Sequence, residues 1–182
     1  MDPAAFATLA RSWHEYYILS GTAAATLMGL LFVSLSLHVE TLRESSRNHA
    51  SVMARSAFVS FLMVMFVSLL MLSPAVARRP LSVSLILLGL LRIAVSVPAL
   101  RRTFISEHSG AAYGRGYVIA HTVLPIAAFI ALLAAGVLLA GRHAQDGLEF
   151  LMLGCTLLLA DAARCAWDLL VKVGHLGRAG SR

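Results

Sequence analysis

Five stretches of this chain are long enough and apolar enough to cross a lipid bilayer, and they leave little room for another kind of fold. They are Ile18–Leu37, Ser56–Ala77, Leu81–Leu100, Tyr117–Ala140 and Leu148–Val171, each with at least 20 residues. A helix needs about 20 residues to cross a hydrocarbon core about 30 Å thick. Inside that core no water satisfies backbone N–H and C=O groups, so a crossing segment is either a helix or a strand in a closed barrel. These runs are continuous and do not alternate, which excludes barrel strands. The expected fold is all-α, a transmembrane helical bundle with five spans. Residues 1–182 are expected to form a single integral membrane domain.

Composition agrees. Only 13% of residues are charged and 59% are hydrophobic, against about 25% charged in soluble domains. The net charge of +6 comes from 15 basic and 9 acidic residues. Most of the basic ones lie between the apolar runs, as helix insertion favours on the cytoplasmic side. No basic patch is interleaved with aromatics and no nucleic-acid motif occurs, so the expected partner is the lipid bilayer. The chain has one Asn and one Lys against fourteen Arg. This bias matches GC-rich bacterial coding and points to a bacterial inner membrane. Cys155 and Cys165 share one run. Ten helical residues rise about 15 Å, well beyond the roughly 7 Å that a disulfide tolerates.

The third run carries Arg92 at its middle. A central Arg costs about 2.5–3.5 kcal/mol on insertion, and each Leu, Ile or Val returns about 0.3–0.6 kcal/mol. Twelve such residues lie between Leu81 and Leu100, so the balance favours a true span, with a re-entrant segment as the alternative. With five spans, one side holds four basic residues (Arg11, Arg78, Arg79, Arg142). The other holds nine (Arg43, Arg47, Arg55, Arg101, Arg102, Arg115, Lys172, Arg178, Arg182). The C-terminus is then cytoplasmic and the N-terminus outside. With four spans the C-terminus stays inside and only the N-terminus changes side.

Asp2-Pro3 reads as a helix N-cap followed by proline at the first helical position. It opens a short helix over residues 4–17, with Trp13, Tyr16 and Tyr17 at interfacial depth. The N-terminal residues lack the pattern of a cleaved signal. Ser73-Pro74 through Arg79-Pro80 reads as a tight hairpin.

Two constellations could carry function. The first is Gly21-x-x-x-Ala25-x-x-x-Gly29 in the first run. Small residues at this spacing let another helix backbone approach closely. The plain reading is packing within the chain; the sharper one is a homo-oligomer seam. Ala127, Ala131 and Ala135 form a similar ladder in the fourth run. The second constellation is a set of ionisable groups at membrane depth: Arg92, Asp161, Arg164, Asp168 and His121. Asp161, Arg164 and Asp168 share a helix face at i, i+3 and i+7. Cys165 and Lys172 extend that stripe, and Pro125 frees the carbonyl of His121. Intramembrane charges are costly and face inward in pairs. The expected pairs are Arg92–Asp161 and Arg164–Asp168. They either lock the bundle or line a path for protons, ions or a small anionic solute.

Catalytic signatures are missing from the sequence: there is no H-E-x-x-H, G-x-S-x-G, phosphate loop or C-x-x-C. Glu107-His108 reads as a solvated loop pair. His38 and His121 at similar depth are the minimum for haem, with no second feature in support, and His14-Glu15 likewise stands alone as a metal pair. No cofactor and no enzymatic activity are expected. Trp13-His14-Glu15-Tyr16-Tyr17, Gly21 to Leu27 and Gly29 to Leu37 together resemble the opening of a group of small uncharacterised bacterial multi-pass membrane proteins. That likeness covers about the first 40 residues and implies no activity. The expected role is a subunit, scaffold or modulator of a membrane complex, with a homo-oligomer or another membrane protein as partner. The alternative is a small channel or transporter using the Arg/Asp cluster.

Overall fold

The computed structural model describes the backbone of residues 3–37, 49–73, 77–106, 115–141 and 143–179. Within these it describes the side chains of 5–36, 54–73, 77–94, 124–141, 143–169 and 171. The described residues form six helices and no strand: α1 (Pro3–Ser12), α2 (His14–Leu37), α3 (His49–Leu72), α4 (Arg78–Ser106), α5 (Arg115–Ala140) and α6 (Ala144–Ala179). Each apolar run of the sequence falls within one of α2 to α6, apart from the last residues of the second. Three helical segments, His14–Ser36, Ala54–Leu72 and Ala144–Leu169, are long and apolar enough to cross a membrane; Leu124–Ala140 is a shorter apolar helix. α4 is one unbroken helix through Arg92. Its 29 residues extend about 43 Å at 1.5 Å per residue.

The expected helix over 4–17 is replaced by two. α1 stops at Ser12, where the Ser12 hydroxyl donates to Leu9 O at 2.7 Å. Trp13 N–H donates to Ala10 O at 3.2 Å, closing a turn before α2 starts at His14. A Ser side chain that bonds its own preceding turn competes with continuation of the helix. Phe6 and Ala10, four residues apart on one face of α1, are buried. Pro80 lies in the first turn of α4, where a missing N–H breaks no intrahelical bond. The rest of the expected hairpin, around Pro74, lies outside the described residues. Asp2, His38 and Glu107-His108 also lie outside them.

The chain divides into two compact units, Met1–Glu15 with Leu70–Leu157, and Tyr16–Leu69 with Leu158–Arg182. In the first, α4 and α5 pack antiparallel. Ser82 Oγ donates to Gly136 O at 2.7 Å. A β-carbon on Gly136 would stand 2.8 Å from Ile86 Cγ1, and one on Gly89 would stand 3.4 Å from Leu133 Cβ. Arg78 Nη1 donates to Gly141 O at 2.5 Å, placing a cation where the α5 dipole is negative. α5 and the first half of α6 form a second antiparallel contact. A β-carbon on Gly147 would meet Leu139 Cγ at 2.9 Å, and one on Gly154 would meet Leu132 at 3.1 Å. Both glycines and both leucines are seven residues apart, so two leucine knobs sit over two glycine gaps in one register.

In the second unit, α2 and α3 are antiparallel. Gly21 closes on Ser68, with 2.8 Å from a would-be β-carbon to Ser68 Cβ. The Ser20 and Ser68 hydroxyls are 3.2 Å apart and buried. The α2 contact face comprises Tyr17, Ser20, Ala24 and Leu31, all buried. Ala25 is exposed, and nothing lies within 4 Å of a β-carbon on Gly29. Among the described residues, Gly21 packs against a neighbouring helix while Ala25 and Gly29 face outward. Each four-residue step turns about 40° beyond a full circle, so Gly21 and Gly29 diverge while the 3–4 spacing of the buried residues stays on one side. The ladder in α5 behaves differently, with Ala131 and Ala135 buried and Ala127 partly so.

Candidate functional site

α6 runs for 36 residues and buries a strict seven-residue repeat. Ala144, Leu151, Leu158 and Cys165 form one line, and Leu148, Cys155, Ala162 and Leu169 another, all of them buried. A third line along its edge reads Gly147, Gly154, Asp161, Asp168. In the first unit its two glycines admit leucines of α5. In the second unit the same edge carries Asp161, which is 1% exposed. Arg164, one turn on, has a side chain 30% exposed and donates from Nη2 to Asp161 Oδ1 at 3.1 Å. Helical side chains lean toward the N-terminus, which explains why Arg164 reaches back to this carboxylate. Cys165 is a buried thiol beside the pair, outside any disulfide, and Asp168 is half-buried. The outer face of the helix carries Trp167, 67% exposed.

Among the described residues, the buried serine hydroxyls of the second unit are Ser20, Ser60 and Ser68, with Tyr17 also buried. Serine hydroxyls and a charged carboxyl are the polar groups that hold helices together in lipid. Here they share a unit with Asp161. In the first unit Arg92 lies on the α4 face that also carries Ser82, Leu85 and Gly89. Its guanidinium stands 4.9 Å from the centre of the Phe129 ring. An aromatic face attracts a guanidinium by about 0.5–2 kcal/mol. The sequence offers the helical position of Arg92 but no signal for Phe129, because the register of α4 on α5 sets the meeting. The expected pairs Arg92–Asp161 and Arg164–Asp168 stay expectations. His121 lies within α5, its side chain outside those described.

Two features escape sequence reasoning. One is the Gly147/Gly154 repeat, readable only when Leu132 and Leu139 are known to face it. The other is His143 Nδ1, 3.3 Å from Asp146 Oδ2 at the start of α6, where both side chains are more than half exposed; such pairs contribute little. Among the described residues no three His, Cys, Asp or Glu side chains converge as a metal site would require. No family model, no curated protein and no solved structure matches the chain.

Proposed function

We propose that this chain is a multi-pass protein of a bacterial inner membrane, crossing it five times, that acts through helix packing as a subunit, scaffold or modulator of a membrane complex. The observation that carries the membrane part is its apolar perimeter. Twenty large hydrophobic side chains are exposed among the described residues, including Leu19, Leu30, Phe32, Leu87 and Leu90. Moving such a side chain out of water is worth about 1.5–3 kcal/mol when complete, so wetting these surfaces forfeits on the order of 20 kcal/mol. That exceeds the usual net stability of a domain, about 5–15 kcal/mol. The unbroken α4 helix supports a fifth crossing over a re-entrant segment. Reporter fusions at each end test the topology. A periplasmic N-terminus with a cytoplasmic C-terminus fits five spans, and both termini inside fits four.

The scaffold reading rests on how the charges are matched. Asp161 and Arg164 neutralise each other within one helix, and Arg92 lies against an aromatic ring. A second reading, a channel or transporter, draws on one observation: a fully buried carboxylate in the unit that also buries three serine hydroxyls. Asp161→Asn separates the two. Loss of the folded protein supports the scaffold; normal folding with altered ion or solute flux in proteoliposomes supports transport.

A further inference from the structure

We propose that the groove between the end of α2 and the start of α3 binds a bilayer lipid with an anionic headgroup. The site rests on the membrane reading above. It is a cavity of about 280 Å³ lined by Leu31, Phe32, Leu35, Ala54, Arg55 and Phe58. Five of the six side chains are apolar, and the groove is open to the outside along Phe32 and Phe58, both exposed. An acyl chain is the ligand that a bilayer supplies to such a surface. The sixth residue decides the headgroup. Arg55 is exposed, and among the described residues no carboxylate pairs with it.

Its depth fits the assignment. Arg55 directly precedes the apolar run Ser56–Ala77, and the opposing run of α2 ends at Leu37. The guanidinium therefore sits where hydrocarbon gives way to headgroups. There its fork of donors matches a phosphate oxygen pair, while the chain below fills the apolar wall. Basic residues at this depth between membrane helices select anionic headgroups.

The test places a reporter in the groove. Phe58→Trp is made in a chain whose own Trp13 and Trp167 are replaced by Phe, and is reconstituted in phosphatidylcholine vesicles. Quenching is then compared for brominated phosphatidylglycerol and brominated phosphatidylcholine. The expected result is quenching by both, with an about fivefold preference for the glycerol lipid. This factor is the equivalent of about 1 kcal/mol per basic residue near an anionic surface. Arg55→Gln brings the two lipids level, and added inorganic phosphate leaves the preference in place. Equal quenching in the parent chain overturns the proposal, as does a preference that survives Arg55→Gln or disappears with free phosphate. Absence of quenching by either lipid strikes the membrane reading instead.

Discussion

The two units solve the same problem by different chemistry. Around α4, α5 and the first half of α6, helices approach through Gly89, Gly136, Gly147 and Gly154, each filled by an aliphatic side chain of the neighbour. Around α2, α3 and the second half of α6, the interior holds a serine pair, a further buried serine and the Asp161–Arg164 ion pair. In lipid, hydrocarbon gains nothing by leaving hydrocarbon, so association depends on close packing and on polar contacts between helices. One unit relies mainly on the first and the other adds the second. α6 makes the contrast sharpest, because its seven-residue edge is glycine at 147 and 154 and aspartate at 161.

The largest effect should come from closing a glycine gap. Gly136→Leu forces a side chain where even a β-carbon meets Ile86 Cγ1 at 2.8 Å and the Ser82 carbonyl at 3.2 Å. Overpacking of this kind costs about 1–3 kcal/mol or more, and the expected outcome is a lower unfolding temperature in detergent or loss of the folded protein. Gly29→Leu, with open space around it, should leave that temperature unchanged. Equal effects at the two positions would break the contrast.

Next is the ion pair. Arg164→Ala removes the guanidinium that donates to a carboxylate only 1% exposed. Breaking a buried pair from one side costs about 3–5 kcal/mol. Asp161→Ala leaves a guanidinium already 30% exposed and able to reach the interface, so its cost in a chemical-denaturation series should be smaller. The reverse order would show that Asp161 is stabilised by something other than Arg164.

How much of this was readable beforehand follows a physical line. The apolar runs locate α2 to α6, because a long continuous apolar run without alternation reads as a helix. They do not locate the helix ends. α2 starts at His14, α4 continues to Ser106 and α6 to Ala179, since a helix can continue into polar sequence that hydropathy does not register. Asp161 and Arg164 could be placed on one face from their spacing alone. That Gly21 packs and Gly29 does not, or that Arg92 meets Phe129, depends on the rotation and register of a second helix. One helix's sequence contains neither.

Two smaller effects sharpen the comparison. Arg92→Leu gives up about 0.5–2 kcal/mol of attraction to Phe129 and recovers about 2.5–3.5 kcal/mol of insertion cost. A glycosylation-based insertion assay on the α4 segment should therefore show better insertion, and a decrease would mean that Arg92 is better compensated than its ring contact implies. For the hydroxyls, a double-mutant cycle on Ser20→Ala and Ser68→Ala should return a coupling of about 0.6 kcal/mol, the average for such pairs in a membrane protein. A value near zero would remove the serine pair from the description of the second unit.

The central claim is that hydrocarbon, not water, surrounds Leu19, Leu30, Phe32, Leu87 and their neighbours. Sedimentation of the purified chain after detergent and lipid are withdrawn tests it most directly. Rapid aggregation, reversed only by returning detergent or lipid, is the predicted result; a monodisperse, helical species in plain buffer would contradict it.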